Sequence, residues 1–308
     1  MAANVETMFY VREKPWHGLG VRVEEAQTSE EALKVAGLDW NVNQFPVIVN
    51  GKEAEGYIAN VRDKDNTTLG IVSDRYKIVQ NREAFAFTDA LLQNDCVYET
   101  AGSLNKGKKI WLLARMPETQ ILNDEVSPYL CFTSTHDGTG SIKCCITPIR
   151  VVCQNTLNLA LSKASRTWSS KHMGDIEGKF EEANLTLELA NNYMKELGIT
   201  AEKLANQIVS RAEYDEFVEE LFPLPTEKVT DRKIENVITI RKTLDRAYLK
   251  TFDIRQYVGT AYGVINAVSD MVTHSTPIRN TVSYKERMFG KVIEGHEIID
   301  RAYKLLVA

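Results

Sequence analysis

A chain of 308 residues, 44% hydrophobic and 26% charged, is long enough for one large domain or two ordinary ones. Its formal net charge of −5 argues against a general polyanion binder, and it has no run of about 18 apolar residues to cross a membrane. Five cysteines is an odd count, and Cys131, Cys144, Cys145 and Cys153 fall inside apolar patterns, so they read as buried reduced thiols of a cytoplasmic protein.

Residues 1–26 read as an N-terminal arm with no charged-then-apolar leader, in which Trp16 anchors the chain and Gly18 and Gly20 turn it. Thr28-Ser29-Glu30-Glu31 opens a short helix that Gly37 closes, since a hydroxyl caps free N–H groups and acids suit the positive helix end. Residues 38–49, 57–62 and 69–72 read as strands, the first two joined at Asn50-Gly51, the strongest short hairpin signal. A helix over 82–92 follows, with Asn81 as its cap, and then a strand pair over 96–102 and 108–116. Tyr129–Thr135 and Ser141–Thr147 form a hairpin across His136-Asp137-Gly138-Thr139-Gly140, where glycine accepts positive φ and Asp137 bonds its own backbone.

The fold class is therefore α+β, because hairpin turns outnumber crossover helices: one antiparallel sheet of six or seven strands over 27–174, with packed helices. Residues 175–308 form a mostly helical region docked on the first, with helices near 177–198, 200–221, 230–250, 258–274 and 284–307. Gly198 is expected to stop the first of these, and Pro223 and Pro225 the second.

Two kinds of side chain could carry function. His136 and Asp137, with Gln154 and Asn155, make a polar site, though the hairpin's length separates His136 from the Arg150 end and disfavours a Cys153–His136 nucleophile pair. From Gly138 to Gly174 the chain carries Lys143, Arg150, Lys163, Arg166 and Lys171 without a single acid. Those cations, with Lys108, Lys109 and the ring of Trp168, point to phosphate neutralisation and base stacking, and Arg75, Tyr76, Lys77 and Lys106 extend the set. The histidines His17, His136, His172, His274 and His296 are scattered, and no paired-cysteine, phosphate-loop, dinucleotide or nucleophile-elbow motif occurs. No metal, no cofactor and no catalytic residue are assigned.

At HDGTG, TPIRVVCQNTL and GTAYGVINAVSDMVTH, joined by PWHGLG and SDRYKIVQNREAF, the chain resembles the phage- and plasmid-related family of unknown function numbered 932. The likeness runs from Pro15 to the final helix and implies carriage by phages, plasmids and integrated elements, with no established activity. A fold-level likeness to phage single-strand annealing proteins also exists, but those chains are usually basic and this one is net acidic.

The reading is a mobile-element protein that binds DNA without chemistry, most simply single-stranded DNA in recombination or replication. The alternatives are a protein-interaction module, such as an oligomeric scaffold or a host-defence inhibitor, and a nucleic-acid-processing enzyme using His136, Asp137 and Arg150. A homo-oligomer fits the first two.

Overall fold

The computed structural model describes residues 5–11, 20–24, 28–91, 97–150, 161, 167–225, 230–251, 254–274 and 296–308, with backbone only at 89–91, 149–150, 176–177 and 179–190. The fold is α+β, and the chain divides into two compact units. The first comprises Met1–Pro117, Tyr129–Ile146 and Arg166–Ala190; the second Glu118–Pro128, Thr147–Ser165 and Asn191–Ala308.

The first unit holds two sheets rather than one. The strands of the larger are β1 (Val5–Tyr10), β2 (Val21–Arg22), β6 (Val97–Leu104), β7 (Lys109–Arg115), β9 (Asp124–Thr135), β10 (Ile142–Arg150) and β11 (Thr167–Ser170), in the order β11-β10-β9-β7-β6-β1-β2. All pairings given for it are antiparallel except β1 with β2. The expected N-terminal arm is thus corrected in part: Val5–Tyr10 is a sheet strand, with Phe9 fully buried. Methionine and aromatics at its C-terminal end gave it enough apolar surface to be drawn inside. Gly102 marks where β6 and β7 crowd, since a Cβ there would lie 2.5 Å from the Trp111 ring and 2.3 Å from the Thr7 carbonyl.

The smaller sheet is β3 (Val42–Val49), β4 (Lys52–Arg62) and β5 (Thr68–Ser73), in that order. Its first hairpin turns at Asn50-Gly51 with φ of 51° and 74°, both left-handed as a type I′ turn requires. The outer edge of β3 is closed locally: the Gln80 side chain accepts from Val42 N and donates to Val42 O, each at 2.9 Å, and Pro46 has no N–H. Helix α1 (Ser29–Val35) begins as its residues dictate, Thr28 accepting from Glu31 N at 3.2 Å, and ends before Gly37 at φ 67°. Helix α2 (Asn81–Leu91) is different. Asn81 is its first residue rather than its cap; the backbone N of Gln80 donates to Glu83 at 2.9 Å instead, and the Asn81 amide is used elsewhere.

The second unit contains the later part of α3 (Ile176–Asn206), then α4 (Arg211–Leu221), α5 (Asp231–Lys250), α6 (Ala261–His274) and α7 (Glu297–Val307), with a 3₁₀ turn at Arg255–Tyr257. Gly198 does not stop α3, which runs straight through it; nothing lies within 4 Å of a Cβ placed there, and glycine inside a helix costs only about 1 kcal/mol. Ser210 caps α4 in a reciprocal box with Glu213. Helix α6 is buried almost all round, from Ala261 to Ser269, and forms the centre of the unit. Tyr214 stacks on Tyr248 at 4.4 Å, Tyr257 meets Tyr262 edge-on at 4.8 Å, and Tyr262 donates to Asp124 at 3.1 Å. A short strand, β8 (Thr119–Ile121), pairs with the start of β9. Of the helix expected over 284–307, Glu297–Val307 is helical with His296 as its cap, and 284–295 lie outside the described residues.

Candidate functional site

Three turns and strand ends of the first unit converge at one end of the large sheet. Lys109 opens β7 opposite Leu104, the last residue of β6, and opposite Thr135, the last residue of β9. Between β6 and β7 the turn Asn105-Lys106-Gly107 holds three consecutive left-handed residues, φ 53°, 61° and 83°, which lifts Lys106 to an exposed tip. The turn after β9 is HDGTG, and β10 starts just beyond it with Ile142 opposite Ser170, the last residue of β11. Lys143 and Lys171 therefore sit one residue from that pairing. Lys77 N donates to His172 O at 2.8 Å, adding a further lysine beside Lys171.

Charge thus gathers where the linear code spreads it. Lys77, Lys106, Lys108, Lys109, Lys143 and Lys171 occupy this end; Lys77, Lys106 and Lys171 are exposed and the others half-buried. Lys109 and Lys143 also share a sheet face. Lys109 is in register with Thr135, Cys131 lies on the same face as Thr135, and the Cys131 thiol is hydrogen-bonded to Cys145, two residues from Lys143. That hydrogen bond, together with burial, raises the Cys131 thiol well above its ordinary value, so it is no nucleophile.

Glu6, Asp65 and Asp137 are committed. Arg62, 6% exposed, donates to both Glu6 oxygens at 2.9 Å and to Asp65 at 2.9 and 2.7 Å, while its guanidinium lies 5.3 Å over the Trp40 ring. This arrangement holds the Asp65 carboxyl far below the usual carboxylate range, chiefly through the Arg62 hydrogen bonds. Asp137 accepts from Thr139 N at 3.0 Å and Thr139 Oγ1 at 2.7 Å, the turn-closing role its sequence position implied.

Beneath the turn lies a buried polar hub. His136 is fully buried; its backbone N donates to Lys108 O at 2.7 Å, its carbonyl accepts from Asn60 Nδ2 at 2.7 Å, and Nε2 meets Asn81 Oδ1 at 2.9 Å. The Asn81 amide nitrogen donates to Leu38 O and Trp40 O, so Asn81 Oδ1 is the acceptor and the proton of neutral His136 is on Nε2. Burial, with the neighbouring His172 ring adding to it, pushes the His136 pKa down to about 3. Tyr76 stacks on His172 at 4.7 Å and donates to Thr135 O, and His172 lies against Lys77 O at 3.1 Å. These bonds fix both turns in place. His136 serves as a positioning group and has no route to an external polymer, while Asp137 is half-exposed above it.

The other sequence candidates divide. Trp168 is opposite Cys144, on the sheet face opposite to Lys143, and is half-buried. Arg150 ends β10, seven residues beyond Lys143, with only its backbone described. Lys163, Arg166, Gln154, Asn155 and Cys153 lie outside the described residues. Sequence reasoning missed Asn60, Arg62 and His172; the alternation that puts Asn60 and Arg62 on one face and Tyr57, Ala59 and Val61 on the other was the available signal. Among the described residues no three histidines, cysteines or acids are grouped to hold a metal, and no helix is long and apolar enough to cross a membrane.

Comparison with known proteins returns one result. No curated protein and no solved structure matches the chain. A family model described as "Domain of unknown function (DUF932)" matches residues 68–289, which takes in β5, the β6–β7 turn, HDGTG and helices α2 to α6. With well over half of its length inside that match, the chain belongs to the DUF932 family.

Proposed function

We propose that this chain binds DNA without chemistry, with single strands as its target, through the lysine-bearing end of the large sheet. Its setting is the cytoplasm of a cell that carries a phage or plasmid, with recombination or replication as the process served. One observation carries the reading: lysines from four separate stretches of sequence meet around two turns held by buried hydrogen bonds, while the nearby Glu6 and Asp65 are both ion-paired with Arg62. Lys109 and Lys143 stand two strands apart, about 10 Å, on the order of three phosphates of a strand. Phosphate contacts dominate, because Tyr76 is buried against His172 and Trp168 faces away from Lys143. Binding of this kind is tolerant of sequence and weakens steeply with salt.

The test is a fluorescence-anisotropy titration of a labelled single-stranded oligonucleotide at two salt concentrations. Saturable binding at low salt that weakens at high salt is expected. No binding at low salt, or binding indifferent to salt, rejects the reading.

A further inference from the structure

Two aromatic rings of this protein are left in water, and they share one surface. Phe45 is 50% and Tyr57 58% exposed, whereas every other aromatic side chain among the described residues is buried or half-buried. The register Phe45↔Ala59↔Ile71 sets Phe45 on the same face of the small sheet as Ala59. Tyr57 lies two residues along β4 from Ala59, hence on that face too. The two rings are diagonal neighbours, about 7–8 Å apart at the backbone, with the small Ala59 side chain and the exposed Ile71 beside them. Scattered exposed apolar residues are ordinary, but aromatic rings carry a large apolar area and are normally drawn inside. The opposite face is already covered, since it rests on the HDGTG turn. A Cβ at Gly70 would lie 2.5 Å from Asp137 Cα, and one at Gly138 would lie 2.9 Å from Val72 Cγ1.

Two observations select the occupant. The first is continuity with the lysine-bearing end. Ser73, the last residue of β5, is in register with Tyr57, and Asp74 N donates to Gly56 O at 3.1 Å, so the turn that follows β5 starts beside Tyr57. Tyr76 N donates to Ser73 O at 2.9 Å, which leaves Arg75 exposed at the tip of that turn, and Lys77 N donates to His172 O next to Lys171. Arg75, Lys77 and Lys171, all exposed, therefore lead from the edge of the aromatic face to the phosphate-binding end. Asp74 is the only acid among residues 73–77, and Glu53 and Glu55 lie beyond Gly56 toward the hairpin tip at Asn50-Gly51. The second observation is that the lysine-bearing end lacks an open ring of its own: Tyr76 is buried against His172, and Trp168 faces away from Lys143. A single strand needs both kinds of group, rings on which its bare base faces can stack and cations that neutralise its phosphates.

We infer that Phe45 and Tyr57 are a stacking platform for two neighbouring unpaired bases, whose backbone then passes Arg75 and Lys77 toward Lys171. The inference rests on the DNA-binding reading and supplies what the lysines cannot. A duplex offers phosphates as well as a single strand does, but its base faces are covered by one another, so the rings are what prefers the single strand. Such stacking is indifferent to base identity, because every base has a π face.

Fluorescence anisotropy of the full chain at low salt tests it with three labelled probes of one length: a single-stranded oligothymidylate, the same strand with abasic sites throughout, and a duplex. Phe45→Ala and Tyr57→Ala are each expected to weaken oligothymidylate binding roughly fivefold or more, and Tyr57→Trp, which keeps a ring, to bind like the wild type. Neither alanine change alters the salt slope, because no phosphate contact is lost. The abasic strand and the duplex, which offer phosphates without open base faces, are bound equally by the wild type and the alanine variants. The circular dichroism of all variants matches the wild type, because both side chains are exposed. Undiminished oligothymidylate binding by the double variant Phe45→Ala, Tyr57→Ala overturns the inference while leaving the DNA-binding reading intact. An equal loss on all three probes also overturns it, since the rings would then act through the fold or through a protein contact. A wild type that binds none of the three probes overturns both.

Discussion

The two units solve the problem of specificity with different chemistry. In the first, segments far apart in sequence are stitched by single polar side chains to particular backbone atoms: Asn60 to His136 O, Asn81 to Leu38 O and Trp40 O, Gln80 to both backbone groups of Val42, and Arg62 to Glu6 and Asp65. In the second, tyrosine rings and an almost wholly buried α6 are prominent, beside stitches such as Gln207 to Leu306 O and Arg241 to Phe222 O. Burial tolerates sliding by a fraction of a turn, whereas an amide bonded to one carbonyl does not. A unit whose candidate function sits on turns needs the second kind of restraint, and that is where it is found.

The comparison can be broken first by acid. His136 is neutral in the fold with a pKa near 3, against about 6.5 when unfolded, so the unfolded chain takes the proton more readily. Its contribution is full above pH 6.5 and falls away as pH drops toward 3, at about 1.4 kcal/mol per pH unit. Urea unfolding followed by hydrogen exchange should show the first unit losing protection across that window before the second; simultaneous loss would erase the distinction. Arg62→Met comes next. It removes four hydrogen bonds at once and leaves Glu6 half-covered without its partner, for an expected loss of about 3 kcal/mol. Denaturant midpoints of the variant against wild type measure it, and an unchanged midpoint would mean that the stitches hold nothing.

Smaller effects sharpen the contrast. Tyr248→Phe deletes the hydroxyl that accepts from Gly259 N at 2.7 Å while keeping the Tyr214 stack, so about 1 kcal/mol is expected, with protection reduced in the second unit. A loss as large as that of Arg62→Met would make the second unit as dependent on single polar bonds as the first. The double change Lys106→Ala, Lys108→Ala should leave stability within about 0.5 kcal/mol, since both are turn residues, Lys106 exposed and Lys108 half-buried, and the Lys108 carbonyl that His136 N uses is kept. The same change should flatten the salt dependence of oligonucleotide binding by about 0.7 per lysine in the log–log slope. Unaltered binding would remove this end of the sheet from the proposed interface.

Local signals in the sequence were legible; long-range ones were not. Asn50-Gly51, HDGTG, the Thr28 cap and the buried cysteines Cys131, Cys144 and Cys145 all read directly, because each follows from residues within a few positions. Asn81 was misread for an instructive reason. Asparagine ahead of an apolar helix is a strong cap signal, and only the partners 41 to 55 residues away show that its amide is spent on Leu38, Trp40 and His136. The merging of two sheets into one has the same origin, since alternation gives strands but not neighbours. The gathering of Lys106, Lys109, Lys143 and Lys171 depended on those pairings too, so composition gave the cations and only the register brought them together.

One backbone detail carries further. Lys106 holds φ 61°, a left-handed conformation that disfavours a branched carbon by about 1 kcal/mol and that glycine would occupy at ease. The chain therefore keeps an ammonium at a loop tip where relaxation alone would delete it. In lineages released from whatever that charge attracts, drift should replace this lysine by glycine or asparagine while leaving the neighbouring strands alone. Its persistence or loss among descendants is then a fossil record of selection for the charge, readable without any assay.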